Sequence, residues 1–157
     1  METLEVAEFA DIAEEFAART ARMVWCNVAT VDTQERPRSR VLHPIWEGTV
    51  GWITTDPRTL KARHLARVPY VSLAYVATPE RPAYADCLAE WIDDLAQKQR
   101  IWDLIAATPP PLGFDPAPIY GSPDGPRFGL LKLTPWRIEV STPPTGRQVW
   151  HAPQLPG

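Results

Sequence analysis

Apolar and polar positions alternate with a period of two along much of the chain and switch to a period near 3.6 in three places. Over residues 4–19, Phe9, Ile12 and Phe16 recur at helical spacing, while Glu5, Glu8, Asp11, Glu14 and Glu15 fill the other faces, which predicts an amphipathic helix. "RMVWCNVATV" is rich in β-branched residues and ends at the polar "DTQERP", a strand followed by a turn. "RSRVLHPIW" reads as a second strand whose Pro44 marks a bulge or an edge position, and "VGWITT" as a third, after the turn "EGT". These three are expected to form an antiparallel meander. Pro57 suits the first turn of a helix capped by Asp56, running through "PRTLKARHLARV" with Leu60, His64 or Ala62, and Leu65 on its apolar side. "PYVSLAYVA" and "RPAYADCLAEWI" read as two more strands. "DDLAQKQRIWDLIAA" reads as a second long helix, its paired aspartates placed to cap it. "TPPPLGFDPAPIYGSPDGP" is a proline-rich loop expected to cover one end of the sheet. "RFGLLKLTPWRIEVS" closes the sheet with one or two strands split at Pro135, and a tail is expected from about residue 142.

Short sequential strands with tight turns argue a mainly β, α+β fold: an antiparallel sheet or barrel with helices packed at its ends. With 157 residues, 45% of them hydrophobic and seven of them tryptophan, the chain suffices for a single domain spanning 1–157. A formal charge of −3 argues against a nucleic-acid surface. No window approaches the roughly 20 apolar residues of a membrane span, and the acidic start lacks the basic opening of a signal peptide, so the expected location is cytoplasmic. Cys26 and Cys87 fall in different strands and are expected as free, buried thiols. The three histidines, His43, His64 and His151, have no spacing that suggests a metal site; His43, in the arginine-bearing strand, is a candidate polar contact to a ligand.

The stretch "TTDPRTLK" gathers hydroxyls and cations where a strand hands over to a helix. The first free N–H groups of such a helix favour anions, and the cations Arg58 and Lys61 work against the helix dipole unless an anion is bound. Thr54, Thr55 and Lys61 could donate to a phosphate, and Arg38 and Arg40, two apart on the preceding strand, share one face. Spacing by itself leaves two readings open, a solvated basic helix or a phosphate site. The glycine pattern of a P-loop is absent.

The run "VWCNVATVDTQERPRSRVLHPIWEGTVGWITTDPRTLKARHLARVPYVSLAYV", about residues 22–77, resembles the core of the pyridoxamine 5′-phosphate oxidase-like, FMN-binding split-barrel family. The resemblance rests on the order and spacing of an apolar strand ending "ATVD", a turn to proline, an arginine-bearing strand, a strand ending in threonine, a Thr-x-Lys helix start and "VPYVSLAYV". It weakens through "YADCLAEWIDD" and "LLKLTPWRIEV". It implies a split β-barrel that binds FMN at the interface of a homodimer and acts as an oxidoreductase on a small molecule. Relatives that bind the deazaflavin coenzyme F420 or haem are alternatives. It assigns Arg40 to the flavin phosphate or ribityl chain, Val41 and Leu42 to the ring, Thr54 and Thr55 to the ring edge or phosphate, and Lys61 to the phosphate, with Arg38 and Arg58 as helpers. The sequence departs from the family pattern at Leu60, where an arginine is common, and at Pro44-Ile45, where a lysine often closes the strand.

Overall fold

The structure, a computed structural model, describes residues 1–154. The elements run β1 (Glu2–Val6), a 3-10 turn (Phe9–Asp11), α1 (Ala13–Met23), β2 (Cys26–Val31), β3 (Pro37–Leu42), β4 (Ile45–Glu47), β5 (Val50–Thr55) and α2 (Leu60–Arg67). They continue with β6 (Tyr70–Tyr75), β7 (Ala83–Ile92), α3 (Leu95–Ala107), α4 (Ala117–Tyr120), β8 (Gly129–Thr142) and β9 (Gly146–His151). Hydrogen bonds join the strands in the order β1-β9-β8-β7-β6-β2-β3, and β5, carrying β4 on its other side, pairs with β8 as well. Only the β1–β9 pair is parallel among the described strands.

The 14-residue β8 organises the sheet. Along one edge it pairs first with β5, through Gly129–Leu133, and then with β9, through Arg137–Thr142. Pro135 falls in the gap between those two neighbours, and β7 shifts register opposite it, between Asp86 and Cys87. A residue without an N–H is tolerated at such a break in the ladder. The chain therefore keeps one strand here and divides its pairing.

β3 does not pair with β4 or β5, so the expected meander is instead two hairpins, β2–β3 and β4–β5. They stand at opposite ends of the path β3-β2-β6-β7-β8-β5-β4, yet only His43 and Pro44 separate β3 from β4 in sequence. That two-residue corner forces the sheet to curl until its ends meet without closing by hydrogen bonds, the split-barrel arrangement. The inward side chains of β7, Ala83, Ala85, Cys87 and Ala89, are small and at most 4% exposed, which leaves the interior to Leu73, Tyr75, Leu131, Leu133 and Ile138. Cys26 and Cys87 are free and buried, and burial pushes the Cys26 thiol up to about 12, so it stays protonated and unreactive.

Three expectations need correction. The N-terminal helix starts at Ala13, not at residue 4, because Glu2–Val6 pairs with β9 as a parallel edge strand. The tail expected from about 142 holds β9, sandwiched between β8 and β1; only residues 155–157 lie outside the description. The short helix begins at Leu60 with Thr59 at its N-cap, not at Pro57, and Leu60 is exposed while His64 and Leu65 carry its buried side. α3 behaves as expected: the Asp94 carboxylate accepts the Gln97 N–H at 2.9 Å, and Ile101 and Ile105 pack with Ile45, Trp52 and Leu130 on the outer face of the sheet.

The β2–β3 turn is tied by Asp32, whose carboxylate accepts the backbone N–H groups of Gln34 (2.9 Å) and Arg36 (3.0 Å) and the Arg36 side chain (3.0 Å). These bonds, the Arg36 amide first, hold its pKa at about 2 against an ordinary 3.8. A carboxyl with a depressed folded pKa contributes stability that is complete above its unfolded value and disappears as the pH falls through the folded one. Urea titrations of the wild type should therefore lose stability between pH 4 and about 2. Asp32→Asn should be weaker at pH 7 and show a flatter decline across that window. An equally steep decline in both proteins would mean that other carboxylates carry the acid sensitivity.

Candidate functional site

The corner between β3 and β4, the end of β5 and the start of α2 meet beside the proline-rich segment that follows α3. They enclose a pocket of about 440 Å³, lined by Leu42, His43, Thr54, Thr55 and Thr59 together with Trp25, Phe114 and Tyr120. That volume suits a cofactor-sized molecule, the usual range being roughly 300–1,000 Å³. Local register explains the wall. Thr55 is opposite Gly129 on the barrel's inner face, with Ile53 and Leu131, whereas Thr54 is opposite Leu130 on the outer face. Trp25 follows Val24, which closes α1 at φ 63, a backbone region that β-branched residues rarely occupy. The Tyr120 hydroxyl donates to the Thr54 carbonyl (3.0 Å) and accepts from the Thr54 hydroxyl (3.2 Å), pinning the proline-rich segment to the end of β5.

Two cations that do not themselves line the pocket lie near one another, and one of them, Lys61, reaches its rim at Thr59. Arg40 points to the inner face of the β2–β3 hairpin, where its guanidinium donates to the Val28 carbonyl (3.1 Å) and the Thr30 hydroxyl (2.7 Å). Thr30 is in turn hydrogen-bonded to Nδ1 of His64 on α2 (2.9 Å). Lys61 donates to the Thr59 hydroxyl at 3.0 Å, at the rim of the pocket. Burial, then the Arg40 charge, lowers the Lys61 pKa, with Asp56 acting in the opposite direction; burial, then Arg38, lowers that of Arg40. Among the described residues neither Arg40 nor Lys61 has a carboxylate within ion-pair distance. Two half-buried cations that repel one another are stabilised by an anion placed between them.

The other residues singled out from the sequence are placed differently. Arg58 is held by Asp56, through a backbone bond at 2.9 Å and an ion pair at 2.6 Å, and this pairing keeps the Asp56 carboxyl well below the usual carboxylate range. Arg38 shares the Arg40 face but lies 4.0 Å from the Asp32 carboxylate. The side chain of Val41 faces outward and is 58% exposed, so only its backbone could meet a ligand at the inner face. Sequence reasoning missed Trp25, Phe114, Tyr120 and the Thr30–His64 relay. The one available signal was that Phe114 and Tyr120 are large aromatics stranded among prolines, and such residues need a surface to cover.

A second hollow, of about 490 Å³, lies beside β1 and β9, but its two arginines, Arg19 and Arg147, are already paired with Glu15 and Glu139. It offers an anion nothing comparable.

No family model matches the chain, and no curated protein is similar to it in sequence. Solved structures match in fold. A protein related to general stress protein 26, of the pyridoxinephosphate oxidase family, from Clostridium acetobutylicum, superposes with a TM-score of 0.73 at 14% identity, over 90% of this chain and 94% of that one. A pyridoxamine 5′-phosphate oxidase-related, FMN-binding protein from Nostoc punctiforme gives 0.61 at 19% identity, over 86% and 84%. An F420 reductase gives 0.54 at 20% identity, over 78% and 91%. At these identities the likeness is one of fold, and the fold is the split barrel that the sequence resemblance implied.

Proposed function

We propose that the chain binds FMN in the pocket at the β3–β4 corner and serves as a flavin-dependent oxidoreductase acting on a small molecule. The observation that carries this reading is the pair Arg40 and Lys61, half-buried, adjacent and without a carboxylate, next to a cofactor-sized pocket walled by aromatic side chains. Arg40 and Lys61 would hold the phosphate, with the Thr59 hydroxyl and the uncapped first turn of α2 nearby; Leu42, Thr54 and Thr55 would face the ring and its side chain. The flavin would supply the electron transfer, and the chain's own residues would bind it, orient it and exclude water. Coenzyme F420 is the second reading, supported by the fold shared with an F420 reductase, since it too carries a phosphate that the two cations would meet. A homodimer belongs to the same proposal: Trp25 and Val41, both more than half exposed, are apolar surface that a second copy would cover.

Fluorescence titration of the purified chain with FMN, riboflavin and coenzyme F420 tests the reading. FMN should bind at least roughly tenfold more tightly than riboflavin, because only FMN presents a dianion to the cation pair. Equal affinity for the two flavins would remove the phosphate from the site, and a preference for F420 would decide for the deazaflavin.

A further inference from the structure

α2 is fastened to the β2–β3 hairpin at two residues three apart, His64 and Arg67. Thr30, 3% exposed on the inner face of β2, is hydrogen-bonded to Nδ1 of His64 at 2.9 Å. One turn further along α2, Arg67 donates to the Thr33 carbonyl and pairs with Glu35 at 3.6 Å. One turn earlier, neighbouring His64 on the helix surface, stands Lys61. The hydroxyl that anchors α2 is also the one that holds Arg40. Its oxygen accepts from Nη1 at 2.7 Å, and the Val28 carbonyl accepts from the same nitrogen at 3.1 Å. A guanidinium only donates, while a hydroxyl has two lone pairs and a proton, so Thr30 can serve Arg40 and His64 together whichever tautomer the imidazole adopts.

These bonds engage one nitrogen of the guanidinium. Nε and Nη2, the edge with which an arginine grips an oxyanion, donate to nothing among the described residues. They are not sealed from solvent either: the one buried side-chain nitrogen or oxygen without a partner among those residues is Nε2 of His43. Lys61 makes one bond, to the Thr59 hydroxyl, and has two further N–H groups to offer. The two cations repel one another, so without a tie they would move apart in the free protein and a ligand would have to draw them back.

We infer that Thr30 and His64 are positioning residues for the phosphate: the shared hydroxyl joins the strand-borne Arg40 to the helix that carries Lys61, so that both cations meet one phosphate group. The inference rests on the proposed reading of the site as one for a phosphate-bearing flavin or deazaflavin, and adds to it the device that makes the site selective for the phosphate. Neither side chain lines the pocket, so each acts through a cation and not on the ring. Thr30 aims the free edge of Arg40, and the Thr30–His64 bond sets where α2 presents Lys61. A hydrogen-bonded support of this kind lowers the ordering that binding must otherwise supply.

The experiment titrates wild type, Thr30→Val, Thr30→Ser, His64→Leu and His64→Asn with FMN and riboflavin, at a temperature where circular dichroism shows each protein folded. The readout is the ratio of the two dissociation constants. Valine keeps the shape of threonine and removes the hydroxyl, so Thr30→Val should weaken FMN by about tenfold and leave riboflavin within about twofold of the wild type. Thr30→Ser, which keeps the hydroxyl, should hold the wild-type preference for FMN. His64→Leu breaks the same tie from the helix side and should also lose preference for FMN. His64→Asn, whose side-chain amide can stand near the position of Nδ1, should recover most of it. An unchanged preference in Thr30→Val or in His64→Leu overturns the inference and leaves the phosphate site standing. Equal weakening of both flavins overturns it too, since the tie would then shape the pocket as a whole. So does a Thr30→Ser protein as weak as Thr30→Val, which would assign the effect to packing. If Thr30→Val does not fold, the two His64 variants decide by the same ratio. A wild type that binds FMN no more tightly than riboflavin removes the phosphate reading and this inference together.

Discussion

Replacing Arg40 and Lys61 together by alanine should weaken FMN binding by two orders of magnitude or more, while riboflavin binding changes little. Each cation can offer a charge-assisted hydrogen bond worth about 1.5–3 kcal/mol in a shielded site, and in the proposed site both would meet one phosphate. The single variants should differ in a way that identifies the cause. Arg40 also ties the Val28 carbonyl and the Thr30 hydroxyl, so Arg40→Ala should cost stability in the ligand-free protein as well as affinity. Among the described residues Lys61 ties Thr59 alone and is destabilised by the neighbouring guanidinium, so Lys61→Met should bind FMN poorly yet melt at or above the wild-type temperature. This combination, affinity lost without stability lost, is the signature of a residue kept for a ligand. Equal FMN affinity in the double variant and the wild type would remove the phosphate site.

Gly113→Ala should be the most damaging single change to the pocket wall. An added Cβ at residue 113 would lie 1.7 Å from the Thr108 carbonyl oxygen and 2.8 Å from that of Ile105, both backbone atoms at the end of α3 that no rotamer change can move. The Gly113 N–H also donates to the Pro109 carbonyl, closing the turn that places Phe114. The chain must therefore abandon this turn, and overpacking of this kind costs about 1–3 kcal/mol or more. Because the turn presents Phe114 to His43 and leads to Tyr120 on Thr54, the same substitution should abolish flavin binding. Limited proteolysis should find new cleavage between α3 and β8, with the barrel intact. A Gly113→Ala protein with native affinity and protease resistance would show that this wall is dispensable.

What could be read from the chain follows the range of the interactions involved. The alternation in "YVSLAY" and "AYADCLAEWI" leads directly to β6 and β7, because local pattern reports the face such a strand buries, and the short apolar run "VGWI" leads to β5, which is buried on both faces. Asp94 predicts its own cap and the two buried cysteines their own inertness, whereas Pro135, expected to split the strand, only shifts the register of its neighbour while β8 continues through it. β1 was illegible for the converse reason: "ETLEV" is exposed along most of its length, and its partner, β9, lies some 140 residues away, so no local pattern marks the pairing. The same holds for the cations. Sequence offered Arg40 and Lys61 as phosphate contacts with Arg38 and Arg58 as helpers but showed none of their partners; folding pairs Arg58 with Asp56, sets Arg38 near Asp32, and leaves Arg40 and Lys61 near one another.

The sequence by itself determined β2, β5, β6, β7 and β8, the bodies of α1, α2 and α3, the basic turn after β5 and the resemblance to a flavin-binding split barrel, since all of these depend on residues near one another in the chain. Only the tertiary structure decided which charges remain uncompensated, that His43 keeps an unpartnered nitrogen, and that a proline-rich loop supplies the aromatic wall. Those depend on the curl that carries β3 round to β4 and on the seating of the segment after α3, which bring together groups that are distant in sequence.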